Sequence, residues 1–110
     1  VDMFDCVMPS RNARHGLLFT AEGTINIKNQ KWSKDFSAID AKSPCFVDQN
    51  YSKAYLRHLL KSGEYLGMQI ATIHNLSFYL RIMKEARARI IDGSFISWKN
   101  KMVKQMNQRL

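Results

Sequence analysis

With 110 residues, the chain has room for one modest domain and not for two. Its composition, 45% hydrophobic and 24% charged, is that of a globular protein rather than a disordered tail, and no apolar run approaches the ~20 residues of a membrane-spanning helix. A formal charge of +8 and a pI near 9.8 suit a polyanionic partner, because each cation placed on a phosphate releases condensed counterions. A solvated basic face that binds nothing specific fits the same numbers. The excess is uneven: from Arg81 to Leu110 eight Lys or Arg stand against Glu85 and Asp92. Two distant cysteines, Cys6 and Cys45, without a secretory signal suggest a reducing compartment, with the cytoplasm as the default. The opening residues carry no initiating Met, basic n-region or long apolar core, so the chain is expected to be a fragment of a longer protein.

In chain order, Val1 to Met8 is a short apolar run interrupted by acids, which predicts a buried strand ending at Pro9 with Asp5 near its end. Leu17 to Thr20, a turn at Ala21-Glu22-Gly23 and the alternating Thr24 to Lys28 predict a β-hairpin in which Gly23 supplies a positive φ. Residues 29–50 read as an irregular connection. The period then changes from two to 3.6. Ser52 is the expected N-cap of a first helix that ends near Gly63. Leu76, Tyr79, Met83, Ala86 and Ile90 form the apolar stripe of a long helix closed by Gly93. A last amphipathic helix from Ser94 carries Phe95, Trp98, Met102 and Met106 as a core stripe rather than a cofactor box.

Two rows on these helices attract attention. Arg81, Glu85 and Arg89 at i,i+4 predict a surface charge ladder. Lys53, Arg57 and Lys61 repeat at the same spacing without an acid between them, a repulsion that RNA or an acidic surface would offset. Beside that row, Tyr51, Tyr55 and His58 are either core-facing or an interface patch.

The segment Phe4-Asp5-Cys6-Val7-Met8-Pro9-Ser10-Arg11-Asn12-Ala13-Arg14 resembles the FDCV(M/L)P(T/S)R-x-x-R segment of the bacterial tRNA-guanine transglycosylases, the queuine tRNA-ribosyltransferases. Gly23 to Asn29, Tyr51 to Leu56 and Thr72-Ile73-His74-Asn75-Leu76 resemble further family segments, so the likeness covers essentially the whole chain. It implies an α+β fragment: the last strand of a (β/α)8 barrel, a β-hairpin and a C-terminal helical subdomain of the zinc-binding type. Residues 1–30 would hold the barrel-end strand, the anticodon loop and the hairpin, 31–50 the connection, and 51–110 the helices.

The resemblance implies that Asp5 is the nucleophile at a strand end, where barrel active sites sit. A carboxylate suits the work, since exchanging a purine on intact tRNA requires a covalent ribosyl intermediate and two inversions. Ser10, Arg11, Asn12, Ala13 and Arg14 would form the loop that holds the anticodon, with the two arginines reading bases beside the splayed-out target guanine. His15 departs from the Asn or Gly common there. Tyr51, Tyr55 and His58 would belong to a homodimer interface. The bacterial pattern implies preQ1, or else queuine, as the incoming base in queuosine biosynthesis.

One departure matters more. Where the family places C-x-C-x-x-C and a distant His as a zinc site, this chain has Ser43, Cys45, Asp48 and His74. Serine is a poor zinc ligand and Asp a harder one, so the chain is expected to fold without stoichiometric zinc or other cofactor, with Phe46 and Val47 closing the corner by packing on the long helix near His74. The fragment lacks the family's second catalytic Asp and purine pocket, so by itself it is expected to be inactive. The competing reading is a non-catalytic tRNA-binding or dimerisation module, against which the retained Asp5 and Arg11 to Arg14 argue. An archaeosine-type enzyme is a third, with a poorer match.

Overall fold

Pro9 decides the first element. The computed structural model describes residues 3–110, and in it helix α1 runs Met8–Arg14 with Pro9 in its first turn, where the missing N–H is harmless and the fixed φ is already helical. The expected strand over Val1–Met8 is therefore corrected: residues 3–7 are irregular and exposed, Met8 is helical, and Val1 and Asp2 lie outside the described residues. A lone strand needs a neighbour to satisfy its backbone, and among the described residues none pairs with 3–7. Ser10 to Arg14 likewise lie in α1 rather than in a loop.

Strands β1 (Leu17–Thr20) and β2 (Gly23–Asn26) pair antiparallel with Leu18 opposite Ile25 and Thr20 opposite Gly23, as the alternation predicts. Thr20 Oγ1 donates to the Gly23 carbonyl at 2.7 Å and accepts from the Gly23 N–H at 3.2 Å, which closes the turn. Gly23 has a φ of 153°, and a Cβ there would lie 2.7 Å from the Gln108 carbonyl oxygen. Only glycine lets the chain end come this close. Leu110 N–H then donates to Thr24 O at 2.9 Å, so the last residues run beside β2.

The connection holds a 3-10 turn at Gln30–Trp32 and ends in a short helix, α2 (Phe46–Asn50), so its second part is more regular than expected. Helix α3 (Lys53–Lys61) starts on Ser52, whose Oγ accepts from Tyr55 N–H at 3.1 Å. Helix α4 (Tyr65–Asp92) ends on Gly93 in the left-handed conformation at φ 83°, and α5 (Phe95–Met106) follows. At 28 residues α4 is about 42 Å long, which accounts for the 45 Å length of the molecule.

The core joins Leu18, Ile25 and Ile27 of the hairpin region to Ile39, Val47, Leu56, Ile70 and Ala71. The buried side of α4 is Gly67, Ile70, Ala71, His74, Asn75 and Phe78. The expected stripe is corrected: Leu76, Met83 and Ile90 are exposed. Their apolar spacing is real, but it marks a side of α4 that the described residues leave largely uncovered. Helix α5 buries no residue fully, and its Phe95, Trp98, Met102 and Met106 are half-buried. It is tied by Trp98 Nε1–H donating to Glu85 Oε1 at 2.9 Å and by Thr24 Oγ1–H donating to Met106 O at 3.0 Å.

Candidate active site

Asp5 lies on the irregular segment three residues before α1 and is exposed. The first turn of α1 is held by Arg11 N–H donating to Val7 O at 2.9 Å and by Ser10 Oγ–H donating to the same carbonyl at 3.1 Å. Ala13 and Pro9 face inward, which turns Arg11 and Arg14 out to solvent at the C-terminal half of the helix, where cations suit the backbone dipole. His15 Nδ1 lies 2.8 Å from Arg11 O. Among the described residues none of Asp5, Arg11 and Arg14 is in an ion pair. A carboxylate and two guanidinium groups thus stand exposed on one short stretch.

Behind this stretch lies an apolar cleft between residues 3–9 and α4, lined by Met3, Phe4, Cys6, Leu76, Tyr79 and Met83. Tyr79 packs edge-on to Phe19 at 5.3 Å. Burial, with the nearby Cys6 thiol adding to it, pushes its phenol above the ordinary tyrosine range.

The orientation of α1 comes from a residue to which the sequence reading assigned no role. Asn75 is fully buried on α4. Its Nδ2 donates to Pro9 O and Leu17 O, each at 3.0 Å, and its Oδ1 accepts from Phe19 N–H at 3.2 Å. One amide therefore ties α1 and β1 to the long helix, satisfying three backbone groups. The available signal was a polar residue next to His74 on the 67-70-71-74-75-78 face, one position out of register with the apolar stripe.

The four positions of the implied zinc site have other employment. His74 and Asp48 are buried, with His74 Nδ1 2.6 Å from Asp48 Oδ1 and His74 Nε2 2.7 Å from Phe19 O. Ser43 is buried and its Oγ accepts from Cys45 N–H at 3.2 Å. Cys45 is half-buried against the core. Asp48 Oδ2 is buried without a partner, but one oxygen is not a zinc site, and both imidazole nitrogens that would offer a lone pair are engaged. Among the described residues no three His, Cys, Asp or Glu side chains converge to hold a metal. The donor set does not fit zinc. Of the two residues expected to close this corner, Val47 is buried, whereas Phe46 is 59% exposed and does not do so.

The expected rows resolve individually. Tyr51 and Tyr55 stack at 5.7 Å, with Tyr51 half-buried against the core and Tyr55 and His58 exposed. Lys53 Nζ lies 3.8 Å from Asp35 and donates to Ser37 Oγ at 3.0 Å, and hydrogen bonds from Ser37 hold the Asp35 carboxyl below the usual range. Arg57 donates to Asn29 O and Gln30 Oε1, both at 3.1 Å. Of the like-charge row, Lys53 thus meets an acid, Arg57 meets neutral acceptors and Lys61 is exposed. In the ladder, Arg89 meets Glu85 at 3.6 Å, but Arg81 turns away to the buried Asp40 at 3.5 Å.

A two-stranded antiparallel hairpin with helices packed against it defines the class, a small α+β domain. Comparison supplies the family. The model of the queuine tRNA-ribosyltransferase family matches residues 1–108, and the chain belongs to that family. It is 52% identical over 105 residues to the queuine tRNA-ribosyltransferase of Desulforapulum autotrophicum, covering 96% of this chain and 28% of that protein. The Aquifex aeolicus protein of the same name is 46% identical over the whole chain and 29% of its own length. That of Neisseria meningitidis serogroup A is 54% identical over 98 residues, 89% of this chain and 26% of that protein. The chain thus spans less than a third of the relatives it matches. Among the described residues no helix is long and apolar enough to cross a membrane.

Proposed function

We propose that these residues serve, within a full-length protein, a tRNA-guanine exchange in which the wobble guanine is replaced by preQ1 or queuine during queuosine biosynthesis. The observation that carries this reading is the stretch Asp5 to Arg14, which matches the family segment and leaves its carboxylate and both guanidinium groups without ion-pair partners among the described residues. Asp5 attacks C1′ of the target nucleotide as the C1′–N9 bond breaks, and the departing guanine takes up a proton at N9. The incoming base then attacks C1′, loses its N9 proton and releases the carboxylate, so two inversions give net retention. Developing positive charge on the ribose is stabilised by the ionised carboxylate.

Arg11 and Arg14, on the outer side of α1 with Ser10, Asn12 and Ala13, contact the anticodon loop around the extruded base, by stacking and by paired hydrogen bonds to base edges. Six exposed cations toward the chain end, Lys84, Arg87, Lys99, Lys101, Lys104 and Arg109, add a field that draws in the phosphate backbone. Tyr51, Tyr55 and His58 serve a homodimer interface, the working compartment is the cytoplasm, and these 110 residues alone are catalytically silent. In the full-length protein, Asp5→Ala should abolish guanine exchange and the denaturation-resistant adduct with substrate tRNA. Asp5→Asn should retain tRNA binding while losing the adduct. Wild-type exchange by either variant would remove Asp5 from the reaction.

A further inference from the structure

We infer that the corner implied to hold zinc is closed in this protein by a metal-free strut, Asp48–His74–Phe19 carbonyl, and that no structural zinc is bound there. The hydrogen-bond geometry carries the inference. His74 Nε2 faces the Phe19 carbonyl at 2.7 Å, and a carbonyl only accepts, so this nitrogen holds a hydrogen. Nδ1 lies 2.6 Å from Asp48 Oδ1, with one proton shared in that contact. For the ring to ligate a metal, Nδ1 would have to give up Asp48 and the proton, or Nε2 would have to release β1. Either change leaves a buried acceptor unpaired.

The other former ligand positions have also become parts of the protein's own closure. Ser43 accepts the Cys45 N–H at 3.2 Å and donates its backbone N–H to Asp40 O at 3.1 Å, which shapes the approach to α2. Asp48 N–H donates to Cys45 O at 3.1 Å inside that turn. Val47, between them, is 1% exposed and belongs to the core. The strut thus links α2, α4 and β1, whereas an ion held by residues 43–48 and 74 would join only the first two. Losing the ion would ordinarily leave the buried imidazole without a partner. Here the substituted residue, Asp48, is that partner.

The test uses full-length protein purified without added metal. Elemental analysis should find fewer than about one zinc per ten chains, and chelator should leave the melting temperature unchanged. Asp48→Ala and His74→Ala should each lower the melting temperature by roughly 3 °C or more, and the double variant should fall no further than the worse single, because the two side chains serve one contact. Asp48→Asn, whose amide can donate to the Nδ1 lone pair, should recover part of the loss. Should an alanine variant fail to accumulate, Asp48→Val and His74→Leu, which also remove the contact, carry the same cycle. One zinc held per chain, a chelator-sensitive melt or an additive cycle would each overturn the strut.

Discussion

Asn75 shows how much of the candidate site rests on a single side chain that is wholly buried. Its amide is oriented without ambiguity, since one neighbour is an N–H and two are carbonyls. Asn75→Ala leaves those three backbone groups without their partner, each worth about 1–3 kcal/mol when buried; allowing for relaxation, a loss near ~3 kcal/mol is expected in the denaturant unfolding of the full-length protein. Asn75→Asp tests the same contact differently. It keeps the shape and the acceptor toward Phe19 N–H but sets a carboxylate oxygen against the Pro9 and Leu17 carbonyls, so at neutral pH it should destabilise at least as strongly as alanine. Amide hydrogen exchange over β1 and α1 should quicken in both variants. Protection equal to wild type would show that α1 is held by its apolar contacts alone.

At the scale of elements, the aromatic row beside α3 divides between its two readings. Tyr51 lies half-buried on the core and supports the stacked Tyr55, which is 42% exposed, with His58 exposed one turn further. A rigid aromatic presented this way is the kind of group that anchors an interface. Tyr55→Ala should leave the thermal melt of the fold nearly unchanged and raise the dimer dissociation constant of the full-length protein about 30-fold, the equivalent of ~2 kcal/mol, as read by analytical ultracentrifugation. An unaltered dimer constant would return the row to packing. Period, caps and turn residues made the hairpin, the Ser52 cap and the Gly93 stop legible from sequence, because those signals are local. The long helix misled for a physical reason. Its inward face carries His74 and Asn75, whose burial depends on partners 26 to 66 residues away, while its apolar spacing marks a side that this stretch of chain leaves open. Val1–Met8 misled in the same manner, since strand character requires a neighbouring strand, whereas the effect of Pro9 on α1 requires only itself. Within the candidate site, the family segment was legible as a sequence but its helical setting was not, and the strut and the Asn75 ties exist only once three elements meet.

For the whole molecule, the decisive feature is an imbalance along α4. The fully buried residues of the helix all lie between Gly67 and Phe78, whereas beyond Tyr79 it has none and its contacts include α5 and the polar ties of Arg81 and Glu85. Leu76, Leu80, Met83 and Ile90 stay exposed, with Leu80 at 71%, and Met3 and Phe4 continue the apolar surface at the other side of the cleft. A contiguous patch of this kind marks a surface that another part of a protein covers, and the relatives are more than three times as long as the stretch matched here. In the full-length protein this face is therefore expected to be buried. Leu80→Lys should then cost the transfer energy of a leucine, about 1.5–3 kcal/mol, with a further penalty for enclosing an ammonium group, and should lower soluble yield and melting temperature together. Arg87→Ala, an exposed position on the same helix, serves as the control and should stay within about 0.5 kcal/mol of wild type. If Leu80→Lys melts with wild type, the face is solvated in the whole protein and the spacing of its apolar residues has no packing role.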